Sequence, residues 1–205
     1  MNFYTNISQW GNTLLIREVV NGQRLTRRVK YKPTLYVPVE KPTEWKTLDG
    51  KYVTPINFHN MKEAKEWVEN YKSQPNMVHG STMFPYNYLT ESYPNTVEYD
   101  VDQILIVTID IEVQCENGFP APEQAIEPLL SITVKNHQSK KFVVWGIGKF
   151  HNTRDDVTYV ECENELHLIK EFLMFWERHQ PDVITGWNTE FFDIPYLCNR
   201  IKNLC

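Results

Sequence analysis

Ten residues in the middle of the chain, Ile104-Leu105-Ile106-Val107-Thr108-Ile109-Asp110-Ile111-Glu112-Val113, limit the fold more than any other stretch. A run this rich in β-branched residues reads as a strand buried on both faces. Yet it holds two carboxylates, Asp110 and Glu112, which period-2 geometry puts on one face. Adjacent acids within a buried strand are costly unless something positive binds them. A hard divalent cation with oxygen ligands meets that need. The plain alternative is an exposed strand end with two solvated acids, and D-x-E by itself does not decide between them.

The residues that follow extend the pattern. Beyond a loop around Gly118-Phe119-Pro120, strands are expected at 129–136, 141–147 and 156–161. Residues 164–179 have helical spacing, with Leu166, Ile169, Phe172, Leu173 and Trp176 on one side. Asp182–Trp187 reads as a short strand after Pro181, and Phe191–Asn203 as a helix with Pro195 in its first turn. The early strands can pair as antiparallel hairpins. The helix then crosses over and returns the 182–187 strand parallel to a neighbour, with 104–113 the natural partner. The expected fold class is α/β, α+β overall: a layered sheet of the ribonuclease-H-like kind, with its reactive groups at strand ends.

The first hundred residues differ in character. Alternation through Thr13–Arg17 and Val29–Tyr31, with turns at Gly11-Asn12 and Asn21-Gly22, predicts a β-meander over 2–38. Arg28, Lys30 and Lys32 would share one strand face, either solvated or in contact with a nucleic-acid backbone. Asn60 and Glu63 form a capping-box pattern ahead of Met61, Ala64, Trp67, Val68 and Tyr71 at helical spacing. Residues 74–100 hold Pro75, Pro85 and Pro94 without a clear period, and a boundary near residue 100 gives two domains, 1–100 and 101–205.

Composition excludes several classes. No run of 18 or more apolar residues exists to span a membrane. The Met1–Asn12 segment lacks a signal-peptide pattern, so a cytoplasmic location is expected. Cys115, Cys162, Cys198 and Cys205 show no CxxC pairing and read as reduced thiols. The net charge of −5 argues against a stand-alone domain living on nonspecific phosphate contacts. It is compatible with an acidic site whose field bound cations reverse.

The segment Gly186-Trp187-Asn188-Thr189-Glu190-Phe191-Phe192-Asp193 follows the predicted parallel strand and opens a helix. Asp193 can thereby approach Asp110 and Glu112. Three such carboxylates suit two divalent metals about 3.5–4 Å apart, as two-metal phosphoryl transfer requires. Asn188 could orient a substrate phosphate or a water.

Asp110-Ile111-Glu112 resembles the first exonuclease motif of family B DNA polymerases. Asn188–Asp193 is similar to the second, in which Asn precedes an aromatic-Asp pair. The flanks Gly186-Trp187 and Ile194-Pro195-Tyr196-Leu197 fit, as does the spacing of about eighty residues. The resemblance covers the whole chain and points to the replicative enzymes of large tailed phages. Lys30–Tyr36 looks like their N-terminal domain. Asn117-Gly118-Phe119-Pro120 and Asn199–Asn203 look phage-like as well.

The resemblance implies a mainly β N-terminal domain followed by the first part of a ribonuclease-H-like 3′→5′ proofreading exonuclease. Asp110, Glu112 and Asp193 would be catalytic metal ligands for Mg²⁺ or Mn²⁺, Phe119 would stack on bases of a single-stranded DNA 3′ end, and Asn188 would contact substrate. A host-cell cytoplasmic location follows if the chain is phage-encoded. RNA, template DNA or neither is left open for the N-terminal domain. The family's third motif, Y-x-x-x-D, is not found after Asp193: Tyr196 is followed at position 200 by arginine. The polymerase carboxylates and lysines are missing too. The expectation is a cut piece, a truncated product or one subunit of a split polymerase, with little nuclease activity alone. A non-enzymatic nucleic-acid-binding or docking module is the alternative.

Overall fold

The computed structural model of the chain describes residues 2–116 and 118–204, with the Pro75 side chain left aside. Asn117 and Cys205, both singled out above, lie outside the described residues. The chain divides into two compact units, Met1–Tyr99 and Asp100–Cys205.

In the first unit β1 (Asn2–Trp10), β2 (Thr13–Val20) and β3 (Gln23–Val29) form an antiparallel meander. Its Asn21-Gly22 turn has both residues at positive φ (51° and 79°), the twist that suits a two-residue hairpin. A second sheet pairs β4 (Thr34–Pro38), β5 (Trp45–Lys46) and β6 (Tyr52–Asn57) in the order β4-β6-β5. The strand face expected for Arg28, Lys30 and Lys32 does not form. Pairing of β2 with β3 ends at Leu14↔Val29, because β2 itself begins at Thr13, so only Arg28 lies on a strand. All three side chains are exposed.

Helix α1 (Met61–Asn70) begins as its sequence dictates: the Asn60 side chain accepts from the Glu63 N–H at 2.9 Å. The Glu63 carboxylate reaches one residue further back than the usual box, to the His59 N–H at 2.9 Å. Helix α2 (Phe84–Ser92) was not legible in the sequence. It buries only Phe84 and Leu89, too few positions to show a period. Its Pro85 sits in the first turn, where a missing N–H costs little. Leu14, Ile16, Leu35, Phe58, Met61 and Phe84 pack together in this unit's core. At its polar margin Glu18, 5% exposed, accepts from Arg27 Nη2 at 3.0 Å and from the Tyr93 hydroxyl at 3.1 Å. The Arg27 hydrogen bond holds the Glu18 carboxyl below the usual carboxylate range against the opposing effect of burial.

The second unit is built on one five-stranded sheet of order β10-β9-β8-β7-β11. Its strands are β7 (Ile106–Val113), β8 (Leu129–Asn136), β9 (Phe142–Ile147), β10 (Val157–Cys162) and β11 (Val183–Thr185). β7, β8 and β9 are antiparallel neighbours, and β11 returns parallel to β7 with Val183 opposite Ile106, as expected. β10 departs from the hairpin expectation by running parallel to β9. The intervening residues 148–156 are enough to carry the chain back along a six-residue strand of roughly 20 Å. The mixed sheet with its helices is the ribonuclease-H-like architecture of α/β class.

Helix α3 (Glu165–His179) lies over β8, β9 and β10 and buries Leu168, Ile169 and Phe172. The expected stripe was rotated: Leu166 and Leu173 face outward, and Leu168 takes the core position. Helix α4 (Asp193–Leu204) packs against β7 and buries Tyr196 and Leu197. One contiguous core joins Val107, Ile109 and Ile111 of β7 to Ile132, Trp145 and Phe172.

Candidate active site

β7 is not buried on both faces. Val107, Ile109 and Ile111 are buried, whereas Asp110 and Glu112 are exposed on the other side. The alternation separates two tasks along one strand: one face anchors the core while the other presents carboxylates at the strand's C-terminal half. Neither acid therefore meets the desolvation expected for a doubly covered strand.

That cost falls on Asp193. As the first residue of α4 it is 3% exposed, and its Oδ1 accepts from the Ile111 N–H at 3.1 Å, joining the helix start to β7. Burial pushes the Asp193 carboxyl above its ordinary value. The Asp110 and Glu112 charges act in the same direction, against the Ile111 hydrogen bond.

The approach to α4 is closely fitted. A Cβ on Gly186 would stand 2.6 Å from the Ile109 carbonyl oxygen and 2.0 Å from Thr189 Oγ1. Only glycine lets this segment pass β7 at that distance. Asn188 adopts a left-handed φ of 58°. Its carbonyl accepts from the Phe191 and Phe192 N–H groups at 3.1 and 2.9 Å, closing the turn that leads into Asp193.

Asp110, Glu112, Phe119, Trp187, Asn188 and Asp193 line one cleft of about 380 Å³. The five second-unit residues expected from the sequence thus meet in one place. Arg28, Lys30 and Lys32 belong to the other unit and do not line it. Phe119 is 81% exposed, and its ring meets Phe192 at 4.9 Å between centroids. Trp187 is 93% exposed beside it, an aromatic surface that the sequence reading passed over as a motif flank. Thr189, also passed over, is buried with an Oγ1 that has no partner among the described residues. Arg200 is no metal ligand: it is held by Glu165 in a two-pronged ion pair at 2.7 Å.

Among the described residues, no three His, Cys, Asp or Glu side chains close into a ready-made cation cage. The cleft nevertheless has the chemistry of a hard divalent-cation site. Its donors are oxygens, and burial first, with the Asp110 and Glu112 charges adding to it, raises Asp193, a cost that a bound cation would offset. Mg²⁺ in phosphoryl-transfer sites is held by one or two carboxylates plus waters and substrate phosphates, so an open arrangement suits it.

No described helix is long and apolar enough to cross a membrane. Comparison with known proteins places the chain in a family. The profile of the exonuclease domain of DNA polymerase family B matches residues 50–205. The chain is 32% identical to the DNA-directed DNA polymerase of Escherichia phage RB69 over 98% of its own length and 26% of that protein. It is 28% identical to the DNA-directed DNA polymerase of Enterobacteria phage T4, over 98% of this chain and 25% of that one. A DNA polymerase of Pyrococcus glycovorans is 30% identical over 59% of this chain and 14% of its own. The chain spans about a quarter of the length of the two phage relatives. Because that profile matches residues 50–205, most of its length, the chain belongs to DNA polymerase family B, within the exonuclease-domain family.

Proposed function

We propose that the cleft is a 3′→5′ exonuclease site acting on the single-stranded 3′ end of DNA, and that the chain serves as the N-terminal part of a replicative DNA polymerase. The observation that carries this reading is the convergence of Asp110, Glu112 and Asp193 with exposed Phe119 in one cleft. Asp110, Glu112 and Asp193 would hold Mg²⁺ or Mn²⁺. When bound, such cations supply a water nucleophile at neutral pH and charge stabilisation for the leaving 3′ oxygen.

The remaining work falls to the chain itself. Phe119 offers an aromatic face to a terminal base, and Trp187 a second exposed ring at the same cleft. Asn188 lines the same cleft as the carboxylates, where its amide can bond a phosphate oxygen or a water. Asp193 is held by the Ile111 N–H, so it keeps its place with little reorganisation. We assign residues 1–100 to the N-terminal domain of the polymerase and 101–205 to the first part of the exonuclease. The site of action proposed is the host-cell cytoplasm.

The test is degradation of a 5′-labelled single-stranded oligonucleotide in Mg²⁺ or Mn²⁺, with Asp110→Ala as control. Stepwise shortening from the 3′ end that the substitution abolishes supports the assignment and means the described carboxylates suffice. Metal binding that Asp110→Ala removes, without shortening, supports the ligand set and means that a further ligand is required. Shortening that survives in Asp110→Ala refutes the proposal.

A further inference from the structure

The segment 119–128, which begins with Phe119, forms no strand. Three of its positions, Pro120, Pro122 and Pro128, lack an N–H. Several of its carbonyls are satisfied by one face of α4. The Tyr196 hydroxyl donates to the Glu127 carbonyl at 2.7 Å, and Asn199 Nδ2 to that of Pro122 at 3.0 Å. Arg200 Nη1 donates to the carbonyls of Ala125, at 3.2 Å, and Ile126. Asn203 Nδ2 donates to that of Gln124 at 2.8 Å. Positions 196, 199, 200 and 203 are spaced i, i+3, i+4 and i+7, a single helix face.

The seam is itself braced. Glu165, at the start of α3, binds Arg200 through both oxygens and accepts from the Leu129 N–H at 2.7 Å, where the segment enters β8. At the other end of α4 the rings of Phe119, Phe192 and Tyr196 follow one another at 4.9 and 5.5 Å. The helix whose first residue is Asp193 therefore also holds the wall that bears Phe119.

We propose that Tyr196, Asn199, Arg200 and Asn203 are positioning residues that fix Phe119 against the carboxylate cleft, so that one helix sets the distance between base-stacking surface and carboxylates. The inference rests on the exonuclease reading. A binding wall tied to the element bearing a carboxylate ligand would keep the terminal base and its phosphate in register.

The mildest disruption is the pair Asn199→Ala and Asn203→Ala, since Asn199 is half-buried and Asn203 exposed. Two measurements on the full 205-residue chain test it. The first is the fluorine NMR signal of 4-fluorophenylalanine placed at Phe119, with the same label at Phe142 as a remote control. The double substitution should shift or broaden the signal at 119 and leave that at 142 unchanged; an unchanged signal at 119 overturns the proposal. The second is binding of a fluorescein-labelled oligothymidylate in Ca²⁺. Phe119→Ala should weaken it about 5- to 150-fold, as loss of a base–aromatic stack does. The asparagine pair should weaken it by at least about twofold, with no further loss once Phe119 is alanine. An equal loss in the Phe119→Ala background would show a general structural effect and overturn the positioning role. A fluorine shift at 119, with oligothymidylate binding absent or indifferent to Phe119→Ala, would uphold the positioning of the ring and refute the exonuclease reading of what it binds.

Discussion

Gly186 is the position where a single methyl group should do most damage for its size. Its Cβ would lie 2.0 Å from Thr189 Oγ1 and 2.6 Å from the Ile109 carbonyl oxygen. The first contact can be relieved by rotating a side chain. The second cannot, because the oxygen belongs to the backbone of β7, one residue before Asp110. Bringing it from 2.6 Å to an ordinary separation of 3.4 Å requires a shift of 0.8 Å in a packed sheet, and overpacking of this kind costs about 1–3 kcal/mol. For a unit of roughly 100 residues, about 4–5 °C is lost per kcal/mol, so Gly186→Ala should lower its melting temperature by about 5–14 °C. Thr189→Ala alone should be nearly neutral, since the hydroxyl it deletes is buried without a partner among the described residues. Thermal melts of wild type, both single variants and the double variant read the two contacts separately. The double variant should recover only part of the loss. Full recovery would show that the Ile109 carbonyl is not the obstacle, and a Gly186→Ala melt within 2 °C of wild type would refute the close-approach argument altogether.

Other consequences concern stability. The Arg27 hydrogen bond lowers the Glu18 carboxyl in the folded state, so its contribution is present above the ordinary carboxylate value and lost as pH falls through the folded one. Urea midpoints of Glu18→Gln should therefore flatten below about pH 4.5, where the wild type declines. Arg27→Ala should cost more than Glu18→Gln, about 2–3 against 1–2 kcal/mol, because it leaves the buried carboxylate without its counter-charge and with only the Tyr93 hydroxyl as donor, Arg27 itself being half-exposed; equal losses would contradict this. Asp193→Asn keeps an acceptor for the Ile111 N–H and removes a buried charge beside two others. In metal-free buffer the variant should be as stable as wild type or up to about 1 kcal/mol more so, and a clear loss would count against carboxylate crowding. Asn60→Ala removes the cap of α1 and should cost about 1 kcal/mol by urea unfolding, with no change indicating that the helix start does not need it.

Much of this was legible in the residues themselves. Period-2 spacing alone put Asp110 and Glu112 on one face, and the strand–turn–helix pattern around Asn188 and Asp193 rested on local chemistry: a short apolar strand after Pro181 and a proline in a helix's first turn. Such signals act within a few residues and survive without knowledge of partners. What they could not reveal depended on distant chain. The run Ile104–Val113 looked doubly buried because apolarity says nothing of which faces other elements cover; only the sheet leaves one side of β7 open to the cleft. Lys30 and Lys32 left the strand because β2 offers no residue to pair with them. β10 turned parallel because a long connection permits either direction, and α2 hid because two buried residues make no period. Arg200, read only as the residue standing where an acidic ligand was sought, found its role in Glu165 and in carbonyls more than seventy residues earlier. Local pattern determines which residues are strand, turn or helix and which side chains share a face. The meeting of Asp193 with Ile111, and of α4 with the wall that bears Phe119, is decided by long-range packing that no window of sequence contains.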